Sequence, residues 1–168
     1  LRFFDRAEIK NVLAYLRLAL NPHDDVAFER IINFPARGIG ERSLTFLRAS
    51  AKQKQVSLWH ILEDELQKNT LSARINKALK EFYDLIFELQ SLLNAQVNLV
   101  DQVTTLIKKT GLIEYYQAQN DNLFQGRTEN LNELINAIAE FINLKKEESV
   151  PPMLAYFLTH AALESNTD

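Results

Sequence analysis

Cysteine is absent from the 168 residues, which removes disulfides, zinc-thiolate centres and thiol nucleophiles together. Glycine and proline are scarce, at four each, so few positions interrupt a regular backbone. No apolar run approaches the roughly 20 residues that span a bilayer, and no signal-peptide pattern opens the chain. A cytoplasmic setting without membrane contact is the expectation. Missing too is the glycine-rich loop ending in Gly-Lys-Ser/Thr that cradles nucleotide phosphates, so the residues present predict no ATP hydrolysis of their own. The first residue is Leu1, and an amphipathic pattern starts almost at once, as expected of a piece of a longer polypeptide.

What the chain does contain favours helices. Hydrophobic residues make up 46%, enough for a packed core, and Leu, Ala, Glu, Gln, Lys and Ile keep most of their rotamer freedom in a helix. Charge is uneven. Residues 1–60 hold 10 Lys and Arg against 6 Asp and Glu, whereas residues 61–168 hold 9 against 16. With a net charge of −3, an anion-binding face is expected in the first third only.

Apolar residues recur at three- and four-residue intervals almost throughout. Ile9, Val12, Leu13, Leu16 and Leu20 mark a first helix, with Asp5 as its cap and Asn21-Pro22 as its stop. Asp24 or Asp25 caps a short second helix with Phe28, Ile31 and Ile32, and a third runs from Glu41 to about Gln53. Ser57 caps a helix reaching about Leu66. Thr70 opens the longest one, with Ile75, Leu79, Phe82, Ile86, Leu89 and Leu93 on one stripe. Asn98 begins a helix that Thr110-Gly111 ends, Leu112 to Gln119 forms a short one, and Asn120-Asp121-Asn122 reads as a turn. Thr128 helps start a helix through Ile142, and Pro151 and Pro152 open the last. About nine helices and no β-alternation predict an all-α, irregular multi-helix bundle, taken as a single helical domain over 1–168. Residues 1–5 are expected as a linker and 164–168 as a frayed tail.

One segment carries chemistry. Between the second and third helices lies Phe34-Pro35-Ala36-Arg37-Gly38-Ile39-Gly40, two short amphipathic helices around a glycine, apolar, glycine turn, as in a helix-hairpin-helix element. Gly38 and Gly40 can take positive φ and leave amides uncovered while Ile39 anchors the turn. Those donors stand at the start of a helix, whose dipole also favours an anion, and Arg37, Arg42 and Ser43 add cations and a hydroxyl. Such a site grips a DNA backbone without reading bases. Two glycines near a proline also make plain connectors, and both readings stand at this point.

Other constellations are bland. His23, His60 and His160 lack metal-ligand spacing. Glu63-Asp64-Glu65 and Glu147-Glu148 read as solvated faces, because adjacent helical residues diverge. The aromatic residues Trp59, Phe82, Tyr83, Phe87, Tyr115, Tyr116 and Phe141 fall mostly on core stripes rather than forming a base-stacking platform. No catalytic, cofactor or metal residue is assigned.

The segment Arg2-Phe3-Phe4-Asp5-Arg6-Ala7-Glu8-Ile9-Lys10, followed by Ala14-Tyr15-Leu16-Arg17, resembles the UvrD/Rep family of superfamily 1A DNA helicases. The likeness continues through Asp24-Asp25, Ala27-Phe28-Glu29-Arg30, Asn33, Pro35 and Arg37-Gly38-Ile39-Gly40. It extends to Arg127, Glu129-Asn130-Leu131, Glu133-Leu134 and His160-Ala161-Ala162-Leu163-Glu164, and Gly38-Ile39-Gly40 together with this last segment resembles the UvrD/PcrA type more than Rep. This resemblance implies subdomain 2B, a helical insertion in the second motor domain that swings as a rigid body and contacts duplex DNA ahead of the fork. It implies DNA-binding roles for Arg37, Gly38, Ile39, Gly40, Arg42 and Ser43. The expected partners are double-stranded DNA at a fork or single/double-strand junction, the motor domains of the same polypeptide, and repair proteins, in a bacterial, nucleoid-associated setting. ATP and Mg2+ would belong to the parent, an ATP-dependent 3′-to-5′ helicase of repair or replication. A different class of reading is a helical protein-interaction or autoinhibitory module with no direct DNA contact.

Overall fold

Several helix starts are set by a side chain that accepts an amide the helix itself leaves over. In the computed structural model, which describes residues 2–95, 98–118, 123–144 and 150–165, Asp24 caps α2 (Asp25–Ile31) by accepting from the Ala27 amide at 3.0 Å. Ser57 caps α4 (Leu58–Lys68) at 3.1 Å from the His60 amide, and Asn98 caps α6 (Leu99–Lys109) at 2.8 Å from Val100. All three follow the sequence expectation. The longest stripe starts differently: the Ser72 hydroxyl, not Thr70, takes a first-turn amide of α5 (Ala73–Asn94), that of Ile75 at 3.2 Å. Thr70 instead donates to Glu65, whose carboxylate also accepts the Leu71 amide at 2.5 Å and is 3% exposed. Glu65 is thus a buried brace for the α4–α5 turn and not part of a solvated face.

The remaining helices are α1 (Ala7–Leu20), α3 (Glu41–Lys54), α7 (Leu112–Ala118), α8 (Leu123–Leu144) and α9 (Val150–Glu164). Among the described residues no strand occurs, and the fold is all-α. Thr128 lies inside α8, which begins at Leu123, so it starts nothing. Pro151 and Pro152 do stand in the first turn of α9, where a missing amide costs nothing. The turn expected at Asn120-Asp121-Asn122, the pair Glu147-Glu148 and residues 166–168 lie outside the described residues.

The helices group into two compact units, with the division falling inside α1 and inside α5. The first unit is 14–88 and holds the α2–α3 loop. Its core holds Tyr15, Leu16, Phe28, Ile31, Ile32, Leu47, Leu62 and Phe82, each under 2% exposed, with Phe28 and Phe82 meeting edge to face at 5.6 Å. Burying a side chain of this size contributes about 1.5–3 kcal/mol. On its surface Asp64 accepts from Lys54 and Lys68, each at 2.9 Å, and those two ammonium groups hold its carboxyl down at about 2.

The terminal unit comprises 1–13 and 89–168. Leu99, Val103, Leu106, Leu112, Leu134, Ile138, Leu154 and Phe157 form its interior. The expected linker over 1–5 carries a 3-10 turn at Phe3–Asp5. Phe4 meets Phe157 edge to face at 6.2 Å, and Asp5 accepts from Ser165 at 2.7 Å. Asn130 joins this region to α1, accepting from Arg6 and donating to the 7% exposed Glu8 at 2.6 Å.

Candidate nucleic-acid interface

The nine residues between α2 and α3 form a loop that holds the glycine, apolar, glycine turn. Its turn is made by Gly38, at φ +79, a conformation that an L side chain resists. Gly40 departs from expectation: at φ −85 and ψ −179 it is extended, as any residue may be, and a Cβ there would meet nothing within 4 Å. What glycine supplies at position 40 is a bare backbone at the N-cap of α3, where no side chain accepts from the first-turn amides.

The amides along the turn divide by residue. Those of Arg37 and Ile39 both donate to the Asn33 side-chain oxygen, at 2.7 and 3.2 Å, and the Ile39 side chain is 2% exposed. Among the described residues the amides of the exposed Gly38 and Gly40 have no acceptor, nor do the first-turn amides of Glu41, Arg42 and Ser43. Ile39 is therefore the anchor, and the donors that remain belong to the glycines and the start of α3.

Arg37, a candidate for contact with an anion, makes several bonds within the protein. Its guanidinium donates to the Ile31 carbonyl at 2.6 Å, to the Ile32 carbonyl at 3.1 Å and to the Tyr15 hydroxyl. It also lies over the rings of Tyr15 and Phe82, 5.8 and 5.2 Å from their centroids. Carbonyls at the end of α2 need donors, and a planar fork supplies several at once. The Tyr15 hydroxyl donates in turn to the Phe34 carbonyl at 2.6 Å. Burial pushes this phenol above its ordinary pKa, with the Arg37 charge and hydrogen bond opposing the rise.

Arg42 and Ser43 lie in the first turn of α3, Arg42 exposed. A third group beside the loop was not legible in the sequence. Arg74, in the first turn of α5, brings Nη1 to 3.5 Å from where a Cβ on Gly38 would stand, and it is exposed. Thirty-six residues separate the two positions, and only tertiary packing joins them. Neither Arg42 nor Arg74 has an ion-pair partner among the described residues. By contrast Arg48 pairs with Glu29 and Glu41, Lys54 and Lys68 with Asp64, and Lys80 with Asp84. An exposed, unpaired guanidinium thus lies beside Gly38, and another stands in the first turn of α3.

The other candidates stay apart from this site. His23 bonds the Ser57 hydroxyl at 2.6 Å, and His160 stacks on Phe141 at 5.9 Å. Among the described residues no group of His, Asp and Glu is placed to hold a metal. Trp59, Phe82 and Tyr116 are buried as expected, whereas Phe87 is 59% exposed.

Comparison with known proteins gives this geometry its context. The family model for the UvrD-like helicase C-terminal domain matches residues 1–168. DNA helicase II of Haemophilus influenzae is 45% identical over 168 residues, all of this chain and 23% of that protein. DNA helicase II of Escherichia coli is 41% identical over 165 residues, covering 98% of this chain and 23% of the relative. The ATP-dependent DNA helicase PcrA of Bacillus subtilis is 32% identical over 169 residues, 99% of the chain against 22% of the relative. The chain thus spans less than a quarter of the length of these curated relatives. An all-α architecture, a glycine turn offering unpaired donors, and a family match along the whole length agree, and the chain belongs to the UvrD-like helicase C-terminal domain family.

Proposed function

We propose that this chain is the 2B-type accessory subdomain of a UvrD/PcrA-type DNA helicase, and that its hairpin grips the phosphate backbone of duplex DNA. The observation that carries the reading is the set of unpaired donors at Gly38, Gly40 and the first turn of α3, flanked by the unpaired cations Arg42 and Arg74. Main-chain amides and a helix N-terminus suit an anion, and a backbone contact of this kind is blind to sequence. ATP binding with Mg2+ and 3′-to-5′ unwinding then belong to the rest of a longer polypeptide, whose motor domains this module would serve by positioning the duplex. A handful of phosphate contacts gives the chain itself a dissociation constant of roughly 10⁻⁴ to 10⁻⁶ M, and tethering to a motor raises its effective concentration.

Fluorescence anisotropy with a labelled duplex, titrated at several salt concentrations, tests this. Changing Gly38 and Gly40 together to Val should weaken binding more than tenfold while far-UV circular dichroism stays helical. Arg42→Gln and Arg74→Gln should each lower the slope of log K against log salt by about 1. An unchanged isotherm for the double glycine variant would move the module to the protein-interaction class.

A further inference from the structure

The hairpin is held from behind by a group that no ligand can reach. Tyr15 is fully buried, yet its hydroxyl joins the loop at two points, accepting from Arg37 and donating to the Phe34 carbonyl. Arg37 ties the loop to the end of α2 through the Ile31 and Ile32 carbonyls, and rests on Phe82. Asn33 takes the Arg37 and Ile39 amides on one oxygen. The Arg37 and Ile39 amides, the Arg37 guanidinium and the Phe34 carbonyl therefore have partners, and the amides of the glycines are left over.

We infer that Tyr15 and Arg37 are positioning residues for the hairpin: the buried phenol and the inward guanidinium fix the loop so that the Gly38 and Gly40 amides face outward, and neither side chain touches the nucleic acid. The inference rests on the proposed duplex contact. It assigns the arginine beside the glycines to the protein and the phosphate to the amides.

Two roles for Arg37 differ in kind. A direct phosphate contact releases a counterion, and its removal flattens the salt dependence. A positioning residue sets the fraction of molecules whose hairpin is competent, and the apparent dissociation constant rises as that fraction falls. The bound complex then keeps the same contacts, so affinity drops without a change of slope. Lysine at position 37 retains the charge but not the fork that reaches two carbonyls and a phenol.

The test measures duplex binding and its salt slope for Tyr15→Phe, Arg37→Lys, Arg37→Gln and the Tyr15→Phe/Arg37→Lys double variant, all well below their melting temperatures. Tyr15→Phe and Arg37→Lys should each weaken binding about fivefold or more, the factor that losing one or two ordinary hydrogen bonds converts to, at unchanged slope. The double variant should lose much less than the product of the singles, because both act on one network. Amide hydrogen exchange at Arg37 and Ile39, whose amides are bonded to Asn33, should quicken in both single variants. Native affinity in Tyr15→Phe overturns the inference, and so does an Arg37→Lys variant that binds normally beside an Arg37→Gln variant whose slope falls by about 1. If Tyr15→Phe loses helical signal, Arg37→Lys and Asn33→Ala give the same discrimination. Loss of binding in the double glycine variant alongside native binding in Tyr15→Phe defeats this inference and leaves the hairpin reading intact. Native binding by the double glycine variant defeats both.

Discussion

Two glycines in this molecule adopt nearly the same backbone, Gly38 at φ +79 and Gly111 at φ +80, and both sit between consecutive helices. Their surroundings are opposite. At Gly111 the turn closes on itself: its amide reaches the Lys108 carbonyl at 3.3 Å, and the Thr110 hydroxyl donates to the Ile107 carbonyl at 2.7 Å. The Leu112 amide approaches that same hydroxyl at 3.4 Å, the Gly111 carbonyl caps α7 by accepting from Tyr115, and Leu112 is fully buried. At Gly38 the inward amides are used and the outward ones are not. A left-handed glycine thus marks a turn, and only the fate of its neighbours' donors separates a hinge pin from a binding surface.

The largest effects that sharpen this contrast come from the platforms beneath each turn. Phe82→Ala, under the hairpin, should cost about 3–5 kcal/mol in chemical denaturation, and Leu112→Ala, under the closed turn, about 2–5 kcal/mol. Duplex affinity at a temperature where both remain folded should fall for Phe82→Ala only. Smaller effects follow from the glycines. Either one changed to Ala should lose about 1–2 kcal/mol, since the left-handed backbone resists a Cβ whatever the space. Space is not the obstacle at Gly38, where the nearest atom outside the turn is Arg74 Nη1 at 3.5 Å. Gly111→Ala should bind duplex as the native chain does, and a loss of binding there equal to that of Gly38→Ala would break the contrast.

The smallest effect concerns two buried phenols, one in each compact unit. Tyr15 and Tyr116 are both raised above the ordinary tyrosine value, chiefly by burial. A raised value in the folded chain means that their contribution to stability is whole below about pH 10 and is lost as pH climbs through the folded values. Alkaline difference absorbance should show Tyr15 and Tyr116 ionising above the ordinary tyrosine value, with unfolding midpoints falling above about pH 10. Early ionisation of Tyr15 would mean that the network behind the hairpin is open to water.

What was legible in the sequence was what local chemistry decides. Asp24, Ser57 and Asn98 cap helices because an oxygen lies within reach of an amide two or three residues on, and Gly111 ends one because few other residues tolerate its φ. The stripe through Phe82 and Leu89 showed the buried face of α5 for the same reason. The hairpin could be located, but the direction of its side chains could not. Arg37 bonds to Tyr15, twenty-two residues earlier, and Arg74 reaches Gly38 from thirty-six residues after that glycine. Ser72 and Thr70 are both good caps, and the buried carboxylate of Glu65 decides between them by claiming Thr70. Thr128 resembled a helix start only because the earlier turns of α8 lack a strong apolar rhythm.

The single oxygen of Asn33 has a consequence for how this surface tolerates change. By taking the amides of alternate residues it gives the loop a front and a back, as in a comb whose teeth are set in one spine. Substitutions on the back disturb the spine itself, while those on the front are judged by what docks there and, at Gly38, by the left-handed backbone as well. Drift along this short segment should therefore be uneven, free where a residue meets solvent alone and tight at every second position.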